Sequence, residues 1–370
     1  DTTAATWPTH AVYKDVLVSH VGKAGGNQGI QQGDRLTTID GVHPIAWALS
    51  LHDVNWSHWQ ADDSSVYSEF AERMRGLILA YAKTFSIIHC DAQKQTCDDK
   101  PTTYAVSELP EDTGGQVGCD NRPFYHFKKD NPGANHHVGW NFFSGPIANT
   151  TDEEAIYGLL WDTLYGGGDP NGHVNGNLTA AFTTFRNKAR GVILDHRAGS
   201  GGTMDAAEKV TTLVRPPAVP LVFASPMEIA NFDGPANPTE GKALYFLHVQ
   251  GDAMNVGAAD FEKDLPVALL LHRDGSASDF MAFGMKGADK VRLFGPAPTA
   301  GAFSTYYNFQ FWSLSWQIAS GDSISQAGEG LIGHGVVPDQ IVLQTQSDLL
   351  AGKDTIHEAA LAWLRTGLKP

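Results

Sequence analysis

The chain is short of basic residues, of cysteine and of long apolar runs. Lysine and arginine number 26 against 41 aspartate and glutamate in 370 residues, a formal charge of -15 at pH 7. A surface of that sign repels phosphate backbones, which argues against a sequence-independent nucleic-acid binder. No apolar run approaches the ~20 residues of a membrane-spanning helix; Gly76 to Ala82 and Val267 to Leu271 are typical. The cysteines, Cys90, Cys97 and Cys119, form no C-x-x-C pair, so no zinc framework is expected. Neither an H-E-x-x-H nor a Walker sequence occurs. Gly166-Gly167-Gly168-Asp169-Pro170 lacks the Gly-Lys-Ser/Thr of a phosphate loop and reads as a flexible loop. No metal and no cofactor is expected.

What is present is a globular composition, 42% hydrophobic and 18% charged. At about 150 residues per domain, the length suggests two or three domains. Cys90 and Cys97 are spaced to close a short loop as a disulfide or to remain free. Sequons at Asn55, Asn149 and Asn177, together with 39 glycines and 9 tryptophans, favour a secreted or periplasmic protein. The chain opens at Asp1 without Met or an apolar leader, which reads as a processed or cut precursor.

The first region, 11–109, reads as a small β-rich module. Asp15 to Val21 alternates as a strand, and Arg35 to Ile39 is a second strand closed by an Asp40-Gly41 turn. Ser65 to Ala82 has helical spacing through Phe70, Met74, Leu77, Ile78 and Tyr81, and Thr84 to His89 is a further strand. Pro110 to Glu154 is rich in Gly, Pro and Asn and reads as irregular or short strands.

The second region, 110–370, reads as α/β. Ile156 to Tyr165 is a strand or short buried segment, and Asn177 to Lys188 is helical. Gly191 to Asp195 (GVILD) has the continuous apolar run of a buried parallel strand. Helix Met204 to Leu213, strands Pro220 to Ala224, Val267 to Leu271 and Val291 to Phe294, and helices Asp279 to Met285 and Asp354 to Leu364 follow. One sheet is expected to contain GVILD, PLVFA, VALLL and VRLF.

Two turns each follow an apolar strand and open a helix, where unpaired N–H groups favour negative charge. Gly199-Ser200-Gly201-Gly202 follows GVILD, and its glycines allow the close backbone approach that an oxyanion hole requires. Asp274-Gly275-Ser276-Ala277-Ser278-Asp279 follows VALLL and puts serines where a nucleophile becomes exposed. By pattern alone, such a serine is also an ordinary helix cap.

The first region resembles a PDZ domain, on Val16 to Val21, Gly29-Ile30, Gly33-Asp34-Arg35-Leu36 and Ile39-Asp40-Gly41. The resemblance implies that a peptide end is added as an extra strand. The second region resembles the serine peptidase family of C-terminal processing (tail-specific) proteases and the tricorn core. Four segments carry the likeness in order: GVILDHRAGSGG (191–202), LLLHRDGSASD (269–279), LFGPAPTAG (293–301) and GHGVVPD (333–339). It implies a crotonase/ClpP-like α/β core and a serine endopeptidase acting on a peptide or protein substrate. Ser276, three residues before Asp279, is then the nucleophile, with Ser278 as nucleophile and Ser276 as cap the alternative. The N–H of Ala277 and one from Gly201 or Gly202 would form the oxyanion hole.

The sequence departs from the family at the base. The processing proteases carry a lysine where this chain has Ala302, and 296–304 contains no Lys; Lys286 and Lys290 read as solvated. The tricorn-like branch uses a histidine ahead of the PDZ module, where His10 is the remaining candidate. The chain is therefore expected to lack, or to pair with, a preceding segment. Glu329 is the candidate acid for orienting that histidine. His136, His137 and His334 read as ordinary residues, and His173 as a weaker site candidate. The rival reading is a catalytically silent relative that binds peptides or another ligand in the same cleft.

Overall fold

The structure is a computed structural model. It describes residues 15–19, 21, 28–51, 74, 76–91, 93–94, 96–109, 126–128, 136–137, 140–164, 173–197, 199, 201–214, 222–224, 264–272, 275–302, 306–319, 322–324, 331 and 335–367. His10, Glu329 and His334, the expected domain junction near residue 110 and most of the expected 65–82 helix lie outside these residues. The chain packs as two units, one drawn from Asp1–His58, Asp62–His126 and Val342–Ala359, the other from Trp59–Ala61, Phe127–Ile341 and Ala360–Pro370.

In the first unit, β1 (Val16–Leu17), β2 (Arg35–Ile39), β3 (Thr84–Ile88) and β6 (Thr102–Ala105) form an antiparallel sheet in the order β1-β2-β3-β6. Asp40 and Gly41 both have positive φ, 49° and 83°, so β2 ends in the primed turn that Asp-Gly favours. Leu36 and Ile39 are buried with Ile45, Trp47, Phe85 and Ile87; Ile45 and Trp47 come from helix α1 (Pro44–Leu49). Asp34 is fully buried, and its carboxylate accepts from Cys90 N (2.8 Å), Gln31 N (2.9 Å) and the His89 imidazole (2.9 Å). Strands β4 (Cys90–Asp91) and β5 (Thr96–Cys97) pair Cys90 with Cys97, and the two cysteines are disulfide-bonded.

The second unit is built on a seven-stranded sheet. Its strands are β7 (His136–His137), β8 (Trp140–Pro146), β9 (Ile156–Trp161), β10 (Gly191–Asp195), β12 (Val267–Leu270), β13 (Val291–Gly295) and β17 (Gln340–Ile341). The order is β17-β13-β12-β10-β9-β8-β7; the five strands from β9 to β17 run parallel, and β8 and β7 are antiparallel additions. Every residue of β10 and β12 is buried, as their unbroken apolar runs require. Helices α2 (His173–Lys188), α3 (Met204–Thr211) and α4 (Ala277–Met285) connect or follow these strands. Their apolar sides, among them Phe182, Phe185, Val210, Phe280 and Met281, share one core with Leu159, Trp161, Val192 and Leu269.

Two sequence expectations change. The PLVFA segment contributes β11 (Val222–Ala224), which pairs antiparallel with β16 (Asp322–Ile324) in a separate two-stranded sheet, not with the parallel core. A short apolar run has no register of its own, and partner choice is a tertiary matter. His136 and His137 lie in β7, a short strand in the stretch read as irregular or short strands. Asn177 sits inside α2 with a buried Nδ2, so its sequon is not open to modification. Strands β14 (Tyr306–Phe311) and β15 (Leu314–Ala319) form a hairpin, and helices α5 (Gln346–Leu350) and α6 (Thr355–Gly367) complete the described elements.

Phe185 is fully buried in this core. Phe185→Ala is expected to cost about 3–5 kcal/mol, read from the denaturant midpoint; a loss below about 1 kcal/mol would contradict its place there.

Candidate active site

Strand β12 ends at Leu270, and helix α4 begins at Ala277. Ser276, the N-cap between them, has φ 59° and ψ -129°. A residue with a Cβ is strained in that region, at about 1–3 kcal/mol, and persists only when its surroundings over-determine it. Its hydroxyl makes no capping bond to the helix, so Ser276 does not serve as the ordinary side-chain cap that the sequence left open. The strained strand-to-helix turn lifts the side chain away from the sheet edge.

The buried carboxylate of Asp279, at the third position of α4, supports this turn. Its oxygens accept from Gly301 N (2.9 Å) and Ala302 N (2.8 Å), and also from the Thr299 hydroxyl and the Ser276 backbone N–H. A carboxylate at this position reaching back to the cap N–H is one half of a capping box. Thr299 in turn accepts from Val336 N at 2.8 Å. A Cβ on Gly335 would lie 2.1 Å from the Thr299 carbonyl, so only glycine fits there. The LLLHRDGSASD, LFGPAPTAG and GHGVVPD segments therefore meet at one buried acid.

The glycine turn after β10 meets the same helix from the other side. An added Cβ on Gly201 would stand 2.7 Å from Ser276 Cβ and 2.9 Å from the Gly275 carbonyl. Gly201 and Ser276 are thus in direct contact, as a shared site demands. The Gly201 N–H donates to Ser278 Oγ at 3.0 Å, and the Gly201 carbonyl accepts from Leu164 N at 2.7 Å. Gly201 therefore has its own N–H already engaged. The N–H of Gly202 lies across the planar trans peptide from that carbonyl and points the opposite way, away from Leu164. Ala277 begins α4, where helix N–H groups lack intrahelical acceptors.

Ser278 and His196 form the pair that sequence reading missed. Both are fully buried. His196 Nε2 is 2.7 Å from Ser278 Oγ, and Nδ1 is 3.0 Å from the Trp161 carbonyl. A carbonyl only accepts, so Nδ1 carries a proton, and in the neutral ring Nε2 accepts from the Ser278 hydroxyl. Ser278 is consumed by this network, which leaves Ser276 as the serine presented at the turn. A histidine directly after a fully buried strand was the available signal.

Neither neighbouring lysine is an unengaged base. Lys286 Nζ donates to Asp339 (2.6 Å) and to the Val337 carbonyl (2.7 Å), while Lys290 pairs with Asp264 at 2.5 Å. Ala302 turns its backbone N–H onto Asp279. His173 begins α2.

Residues 168–342 match the family described as Peptidase family S41. That span contains the glycine turn, the serine turn, the Thr299 loop and the Gly335 segment. That part of the chain is similar to peptidase family S41. No curated protein sequence matches it. Among solved structures, this chain is similar to mature CPAF, at 15% identity and a TM-score of 0.56, over 92% of this chain and 77% of that one. It is also similar to mature CPAF complexed with lactacystin, at 14% identity and a TM-score of 0.53, over 92% and 78% of the two chains. At these identities the likeness is one of fold.

Burial pushes the Asp279 carboxyl up from 3.8 to about 6, against the opposing pull of its hydrogen bonds, the Thr299 hydroxyl's the largest. Because the folded value is the higher one, this group's stability contribution is full below about 3.8 and is lost as pH rises through about 6. The whole difference is worth about 3 kcal/mol. Asp279→Asn does not titrate there. Relative to that variant, the native protein is expected to lose up to about 3 kcal/mol between pH 4 and pH 7. Denaturant midpoints across that range test this, and a constant difference would refute it.

Proposed function

We propose that this chain is a serine endopeptidase of the S41 kind that cleaves peptide or protein substrates through an acyl-enzyme on Ser276. The observation that carries the reading is the strained Ser276 at a strand-to-helix turn, its hydroxyl unused as a cap and its Cβ against Gly201. Ser276 Oγ attacks the scissile carbonyl carbon while its proton passes to a base. The carbonyl oxygen becomes an oxyanion, held by the N–H groups of Ala277 and Gly202. Collapse expels the amine, which takes the proton, and water then hydrolyses the ester by the reverse sequence of proton transfers.

The base in this reading is a histidine, with His10 and Glu329 as the base and orienting acid the sequence suggests. The ion pairs of Lys286 and Lys290 and the alanine at 302 support a histidine over a lysine dyad. Residues 11–109 are read as a PDZ-like module, and 110–370 as a crotonase/ClpP-like core; the four-stranded antiparallel sheet and the parallel sheet with its helices support these readings. A secreted or periplasmic setting accords with the Cys90–Cys97 disulfide.

A fluorophosphonate probe is expected to label the native protein, with labelling lost in Ser276→Ala and retained in Ser200→Ala. Absence of labelling in the native protein favours a silent, peptide-binding relative.

With a histidine base, kcat/KM falls as pH drops through about 6.5. Asp279 titrates in the same window, so the deciding arm is a lysine replacement. An acid limb lying well above that range, abolished by Lys286→Met or Lys290→Met, would restore a serine–lysine dyad.

A further inference from the structure

The buried His196–Ser278 pair is spent on no reacting atom, yet it holds the backbone N–H of Gly201, the residue packed against Ser276. Three hydrogen bonds run in series. The Gly201 N–H donates to Ser278 Oγ (3.0 Å), the Ser278 hydroxyl donates to His196 Nε2 (2.7 Å), and His196 Nδ1–H donates to the Trp161 carbonyl (3.0 Å). The imidazole also packs on the Trp161 ring at 4.3 Å between centroids. Trp161 closes β9 and Asp195 closes β10, adjacent parallel strands whose register is fixed by the sheet. The series therefore ties the glycine turn to the rigid sheet.

The glycine turn needs such a tie. Gly201 has φ +83° and no side chain, and the space a Cβ would fill is taken by Ser276 and Gly275. With no side chain to pack, it is held through its own N–H and carbonyl. Leu164 holds its carbonyl and Ser278 holds its N–H. With both ends of Gly201 fixed, the following peptide plane is fixed as well, and with it the direction of the Gly202 N–H. An apolar residue at 196 would fill the same buried volume but would leave the Ser278 hydroxyl without its acceptor, and the hydroxyl would be free to rotate off its line.

We propose that His196 is a positioning residue for the oxyanion hole, acting through Ser278 on Gly201 and so on the aim of the Gly202 N–H. This rests on the serine-peptidase reading above. Catalysis depends on donors placed for the oxyanion and not for the ground-state carbonyl, so misplacement lowers kcat before it alters KM.

The test compares native protein with Ser278→Ala, His196→Leu and His196→Gln, the last retaining an acceptor for Ser278. Thermal unfolding and circular dichroism establish that each variant folds. Amide hydrogen exchange at Gly201 is expected to quicken at least about tenfold in Ser278→Ala and His196→Leu, and to recover in His196→Gln. On a peptide substrate, kcat is expected to fall roughly 10- to 100-fold in the first two, with KM within about twofold. The affinity of a peptide aldehyde, whose adduct carries the oxyanion, is expected to weaken in parallel with kcat. The double variant is expected to be no worse than either single one.

Unchanged Gly201 exchange in folded Ser278→Ala overturns the anchor itself. Quickened exchange with native kcat and native aldehyde affinity overturns its catalytic role while leaving the peptidase reading intact. A loss confined to KM does the same. Native protein that neither hydrolyses peptides nor takes up the fluorophosphonate overturns the peptidase reading, and the positioning role falls with it, whatever the exchange shows.

Discussion

The buried carboxylate of Asp279 is the interaction on which the rest of the site depends. It gathers backbone N–H groups from Ser276, Gly301 and Ala302 and the hydroxyl of Thr299 into one acceptor. A strained residue such as Ser276 stays strained only while its neighbours are held, and Asp279 holds it from within the same helical turn. The cost is burial of an acid in an apolar setting, which shows as the upward displacement of its titration. Few side chains other than a carboxylate can accept from donors on two segments at once.

Opposite Asp279, the first turn of α4 faces the glycine turn through Ser278. The two serines of the Ser-Ala-Ser run thus divide their work by helical geometry. Ser276 precedes the helix and stands clear of it, while Ser278 lies one residue inside, fully buried against His196. The parallel sheet makes this possible. Neighbouring β10 and β12 run in the same direction, so the turns that follow them emerge at the same edge. The LFGPAPTAG loop after β13 emerges there too, because β13 is parallel to β12.

Much of the core was legible because its signals are local. GVILD and the VALLL run read as buried strands and are buried at every position of β10 and β12. The Arg35–Ile39 strand and its Asp-Gly turn follow from turn chemistry that belongs to two residues. PLVFA carried the same apolar signal as its neighbours but joined β16, since an apolar run states that a strand is buried and not which partner buries it. Helix α2 begins four residues before its apolar stripe suggested, at His173, because a single apolar residue, Val174, among His173, Asn175 and Gly176 leaves no periodic trace.

The sequence by itself determined the elements that local pattern can specify: the apolar parallel strands, the two turns that open helices, and Ser276 as one of two serines at the second turn. It also showed that no lysine stands at 302 or nearby. Tertiary structure alone decided which of the two serines is fully buried, that Gly201 spends its own N–H on Ser278, and that His196 bonds the Ser278 hydroxyl. The physical reason is separation along the chain. The bonds that settle these points join residues from 22 to 82 positions apart, and no periodicity or turn signal carries information over that distance.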